Sequence, residues 1–178
     1  HYEVYFLEFY PQPKNIKNHE ALEHHIHAYL EDVETLKNKL THYIGCLKND
    51  LKQVAINKKE ISDASDWLKG QVIKVFEGVS TIRGEHRHKG YKFLDSNIID
   101  AEIAETMLSE TNPLKKSLTP YGLGFFEKQK DQSFEKAKMF WTETARKNFP
   151  QIEGATNEIL EKTKSLLYQY LDITTLLL

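Results

Sequence analysis

NHEALEHHIHAYLEDVETLKNKLTHYIGCLKNDLKQV, residues 18–54, is the stretch whose pattern decides the fold. Apolar or aromatic side chains fall at Leu22, Ile26, Tyr29, Val33, Leu36, Leu40, Tyr43, Leu47, Leu51 and Val54. Steps of four and three alternate, which draws one stripe along an α-helix. Glu, Lys, Asp and Asn fill the positions between, as a solvated face requires. A helix of this length is either the longest rod of a bundle or a coiled-coil seam.

Working outward, a polar connection is expected over 57–63, with Ser62, Asp63 and Ser65 offering capping oxygens to the helix that follows. That second helix is predicted over about residues 66–82, with Leu68, Val72, Val75, Phe76, Val79 and Ile82 on one side. Gly70 and Gly78 lower its helix propensity and are expected to mark close approach to a neighbouring helix. Asp95 or Ser96 caps a third helix over about 97–109, with Ile99, Ile103 and Met107 one turn apart. Residues 110–124, with Pro113, Pro120, Gly122 and Gly124, read as a long loop. A fourth helix is predicted over about 132–148 with Phe134, Ala137, Trp141 and Ala145 inward. Pro150 is expected to interrupt and begin a fifth, about 152–171, which carries Ile159, Leu160, Leu166, Leu167 and Tyr170. Before the first helix, residues 1–15 read as an aromatic-rich arm, and the apolar tail 173–178 as a segment that packs on the body or meets a partner. The expectation is an all-α, up-and-down bundle of four to five helices with one long N-terminal helix, in a single domain of 178 residues.

Composition narrows the function classes. A hydrophobic share of 40% with 28% charged residues is ordinary for a globular protein. A net charge of −2 argues against a dedicated DNA-coating protein, whose surface would be broadly basic. One cysteine, Cys46, rules out an internal disulfide and fits the cytoplasm. No run of 18 uncharged apolar residues is present, so no membrane span is expected, and no basic-then-apolar signal opens the sequence.

The candidate site is VSTIRGEHRHKGYKF, residues 79–93. An apolar helical pattern ends here in Arg83, Glu85, His86, Arg87, His88, Lys89 and Lys92, a basic spot on a mildly acidic chain. Gly84 and Gly90 are expected to break the helix and leave the segment as a loop. Arg carries a planar, permanently charged fork that suits phosphate oxygens. His takes and gives a proton near neutral pH. Together they are the minimum set of groups for cleaving a phosphodiester without a metal.

Arg83-x4-His88, placed after a long helix in an all-α chain, resembles the mark of the HEPN superfamily (higher eukaryotes and prokaryotes nucleotide-binding). That mark is an Arg followed by four to six residues and a His at a helix junction of a four- or five-helix bundle. Where the family usually carries Asn, Asp or His directly after the Arg, this chain has Gly84. The resemblance implies RNA or nucleotide binding, often metal-independent endoribonuclease activity without a cofactor, and a site completed across a homodimer. It also implies toxin–antitoxin or defence settings. Carried over by position, Arg83 would neutralise charge developing on the phosphorus and His88 would act as general base or acid. Glu85 and His86 would orient or assist, Arg87, Lys89 and Lys92 would hold flanking phosphates, and Tyr91 would stack on a base.

Other constellations are weaker. His19, His24, His25 and His27 stand among Glu20, Glu23, Glu31 and Asp32, but only His19 is in phase with the apolar stripe, so the set does not converge as a metal site would. Cys46 reads as a small half-buried residue with no local His, and Trp67 and Trp141 as core or interface residues. The rival to the RNA reading is a non-catalytic helical interaction module that uses the 18–54 helix and the apolar tail as its partner surface.

Overall fold

The computed structural model describes residues 16–88 and 95–171, with side chains described over 16–79 and 95–170. Four α-helices account for nearly all of it: α1 (Asn18–Val54), α2 (Lys58–His88), α3 (Ser96–Leu108) and α4 (Pro120–Leu171). A short 3₁₀ turn, Pro113–Ser117, precedes α4, and no strand occurs among the described residues. The chain is an all-α helical bundle. The apolar arm and the tail lie outside the described residues.

The described residues fall into two compact units, drawn from His1–Tyr29 with Gly84–Lys147 and from Leu30–Arg83 with Asn148–Leu178. In the second unit, α1 and α2 meet through a connection of only three residues, 55–57. The expected polar link over 57–63 is therefore helix from Lys58 onward. Asn57 supplies the cap, its Oδ1 accepting the Glu60 N–H at 3.2 Å. Ile61 and Ser65 are buried and extend the Leu68, Val72, Phe76 and Val79 stripe backward by two turns. A small hydroxyl at a core position hid that stripe from a reading by hydrophobicity.

The buried stripe of α1 settles its own ambiguity. Leu22, Val33, Ile44 and Ala55 are buried and recur every eleven residues, as do Leu40 and Leu51. Eleven residues in three turns is about 3.67 per turn, near the unstrained helix, whereas a heptad seam demands about 3.5. The helix is thus a bundle rod. The same drift moves Tyr43 (40% exposed) and Val54 (56%) off the buried face on which the sequence placed them. Ile44, at 0%, takes the position expected of Tyr43. At the far end of this unit Leu47, Leu51, Ala55 and Ile61 form a core cluster, against which Leu166, Leu167 and Tyr170 of α4 pack. Each fully buried side chain of this size contributes about 1.5–3 kcal/mol.

In the first unit the core draws on Leu22, Ile26 and Tyr29 of α1, Ile98, Ala101 and Ala104 of α3, and Ala137, Trp141 and Ala145 of α4. Asp95 ties two of these helices together. Its Oδ1 caps α3 by accepting from Asn97 N (2.8 Å) and Ile98 N (3.4 Å), and its Oδ2 accepts the Trp141 indole N–H at 2.7 Å. The α3 face differs from expectation: Ile99 and Ile103 are exposed, while Ile98 and two alanines are buried. Its apolar residues fall on more than one side, between Asp100, Glu102 and Glu105, so periodicity alone has no single winner.

Two expected breaks are absent. The 110–124 loop contracts to a turn, the 3₁₀ segment and the start of α4, and α4 runs unbroken through Pro150 for 52 residues. Pro150 removes the N–H that would bond the carbonyl four residues back and crowds it. The position is exposed, so water can take up that carbonyl. Gly70 and Gly78 face open space, a Cβ at either meeting no atom within 4 Å, so they do not mark helix contacts.

Candidate functional site

The basic segment is carried by the end of α2. Helical backbone continues through Gly84 to His88, so the part of the expected Gly-bounded loop up to residue 88 is helix. One interior glycine costs about 1 kcal/mol, too little to stop a helix of 31 residues. Arg83, Glu85, His86, Arg87 and His88 occupy its last two turns, and their side chains lie outside the described residues, as do Lys89, Tyr91 and Lys92 altogether. At about 100° per residue, backbone positions 83 and 87 stack on one face, whereas 83 and 88 stand about 140° apart around the axis. Cations at this end of a helix also meet the negative end of its dipole.

A second constellation assembles where the sequence showed only one of its members. His19, in the first turn of α1, is 4% exposed, as its phase with the stripe implied. Its Nδ1 lies 3.0 Å from Glu105 Oε2 on α3, eighty-six residues away. The pair borders a cleft of about 490 Å³ lined by Ile16, Lys17, His19, Glu105, Lys130 and Phe134, among others. Lys130 and Asp131 form an ion pair at its rim, 3.7 Å apart. Only His19 carried a sequence signal, its place on the stripe. Glu105 joins it through tertiary packing, which no local pattern encodes.

The other histidines do not converge. His24 is exposed, and His27 Nε2 pairs with Glu23 Oε1 on its own helix at 3.6 Å. Among the described residues no group of three or more His, Cys, Asp or Glu is placed to hold a metal ion. Cys46 departs from expectation: it is exposed, and His42, one turn back, places Nε2 3.5 Å from its sulfur. Trp141 is core, as expected. Trp67 is 44% exposed, with Lys162 Nζ 3.8 Å above its ring. That geometry is a cation–π contact that covers part of the indole.

No helix among the described residues is long and apolar enough to cross a membrane. Comparison of the chain with models of protein families, with curated proteins and with solved structures returns no match.

Proposed function

We propose that this chain is a HEPN-like RNA-binding protein that cleaves RNA without a metal, with Arg83 and His88 at the centre of the site. The observation that carries the reading is the placement of Arg83, His86, Arg87 and His88 on the closing turns of one long helix in an all-α bundle. On a chain of net charge −2 this is a concentration of phosphate-binding and proton-transferring groups. The wide angle between backbone positions 83 and 88 favours a site completed by a second copy, each protomer presenting its helix end to one RNA. The test is fluorescence-anisotropy binding of single-stranded RNA by wild type, Arg83→Ala and Arg87→Ala over a salt series. Phosphate contacts predict affinity that falls steeply with salt, and a slope reduced by about one for each arginine removed. Affinity equal in all three proteins would remove the basis of the proposal.

A second reading, a non-catalytic interaction module, has its own support. Tyr121 (85% exposed), Phe125 (52%), Met139 (66%) and Phe140 (56%) leave large apolar surface on α4. Scattered apolar residues are normal on surfaces, but four of this size on one helix segment suit a partner. On α1, where the sequence placed that surface, Tyr43 and Val54 are the large hydrophobics exposed. Absence of RNA binding together with self-association lost in Phe125→Ser/Met139→Ser would favour this reading over the first.

A further inference from the structure

The part of α4 that belongs to the first unit carries a second stripe, on the side away from its core. Tyr121, Phe125, Lys128 and Gln132 follow one another at steps of four, three and four, and Glu135, Met139 and Glu143 continue the line. At about 100° per residue the whole set stays within an arc of about 80°. Every member is exposed, and the buried Ala137, Trp141 and Ala145 lie on the opposite side of the helix. A core accounts for the buried stripe, whereas an exposed line holding Tyr, Phe and Met calls for a partner.

The order of residues along the stripe identifies that partner. Counted outward from Gln132, Phe125 and Met139 stand seven residues to either side, and Tyr121 and Glu143 eleven. Lys128 stands four residues before Gln132 and Glu135 three after it. Laid antiparallel against a copy of itself about Gln132, the stripe meets its own complement. Phe125 faces Met139, the Tyr121 hydroxyl faces the Glu143 carboxylate, and Lys128 faces Glu135. Each contact occurs twice, because a two-fold interface repeats it. A thioether against an aromatic ring is a favourable contact. Lys128 and Glu135 share one edge of the stripe, about 20° apart around the axis, while Lys136 stands about 80° from Lys128 on the other edge. A parallel pairing in register would instead set Lys128 against Lys128 and Glu135 against Glu135, which repel.

Charges of both signs along the stripe select neither a polyanion nor a basic partner. Lys128 has no ion-pair partner among the described residues. Glu135 and Glu143 meet Lys138 and Lys147 of their own helix through Oε1, at 2.7 and 2.9 Å, which leaves Oε2 of each as an acceptor.

We propose that two copies of this chain pair through the exposed stripe of α4, antiparallel, with the two-fold axis at Gln132. The proposal rests on the reading of α4 as a partner surface and names the partner. Seven side chains are fewer than the roughly 20–30 residues a side of a standard interface, so the dimer is reversible and no tighter than about micromolar.

The experiment is sedimentation velocity on the full chain from about 5 to about 500 micromolar, where a dimer of that affinity is expected to form and dissociate with concentration. Phe125→Ser is expected to weaken it at least about tenfold with unchanged circular dichroism. Lys128→Glu and Glu135→Lys each weaken it about fivefold by setting like charges face to face, and the two together return it to within about twofold of wild type. On a Cys46→Ser background, Gln132→Cys is expected to give a disulfide-linked dimer on mild oxidation. Tyr121→Cys gives none, since the two copies of position 121 stand about 33 Å apart along the helices. Cross-linking through Tyr121→Cys in place of Gln132→Cys, or a dimer indifferent to Phe125→Ser and to the charge exchange, overturns the proposal. A chain that stays monomeric at the highest concentration overturns it too, and leaves the partner-surface reading standing with a partner other than this chain. None of these outcomes depends on whether the end of α2 binds RNA.

Discussion

Replacing Asp95 tests how the first unit is held together. Its two carboxylate oxygens do separate jobs, Oδ1 capping α3 and Oδ2 accepting the indole N–H of Trp141, which is 4% exposed. Loss of a helix cap costs about 1 kcal/mol. Removing the acceptor of a buried N–H costs about 1–3 kcal/mol, because that group was desolvated on folding. Asp95→Ala is therefore expected to destabilise by about 2–4 kcal/mol, read from the urea midpoint at unchanged m-value. Asp95→Asn separates the two jobs. Its amide oxygen still caps, but an NH₂ now faces the indole donor, so only the second cost of about 1–3 kcal/mol remains. Adding Trp141→Phe should make the Asp95 substitutions less costly, with a coupling of about 1 kcal/mol in the double-mutant cycle. The reasoning is refuted if Asp95→Ala and Asp95→Asn each cost under about 0.5 kcal/mol, the level of an ordinary surface change.

Other perturbations probe the helices and their charges. Gly70→Ala and Gly78→Ala place a methyl in open space, so each should raise stability by about 0.5–1 kcal/mol, or a few degrees in melting temperature; a loss would mean a contact at these positions. Pro150→Ala restores a helical N–H within α4 and should stabilise by about 1–3 kcal/mol in a denaturant titration, with no gain if the helix is already relaxed around the proline. The Asp66 carboxyl is held below its ordinary 3.8, first by the hydrogen bond from Lys48, then by the charges of Lys48, Lys69 and Lys52. A depressed carboxylate contributes stability that is present above the unfolded-state pKa and is lost as pH falls through the lower folded-state value. A carbonyl NMR titration of Lys48→Met should therefore show Asp66 moving back up, and an unchanged midpoint would count against the pair.

Most of the helical content was legible because a buried stripe repeats. Leu22, Ile26, Val33, Leu40, Leu47 and Leu51 are all buried, and Asp95 caps as its chemistry suggested. Breaks were legible poorly. Gly84 carries a local cost of about 1 kcal/mol, small against a 31-residue helix, and Pro150 one of about 3 kcal/mol, which α4 absorbs with Ala145 buried before it and Ile159 and Thr163 after it. The α3 face was missed because alanines, not the bulky Ile99 and Ile103, are buried. Of the sites, Arg83 and His88 stand out by spacing alone, whereas the His19–Glu105 pair joins residues far apart in sequence and emerges only on folding. His42 beside Cys46 was within reach, since residues four apart share a helix face.

The central claim is tested most directly by incubating RNA with the purified chain in EDTA, wild type beside Arg83→Ala and His88→Ala. The account predicts cleavage by wild type that leaves cyclic-phosphate ends, and a loss of at least about a hundredfold in each variant. Intact RNA with wild type, or cleavage undiminished in both variants, would contradict it.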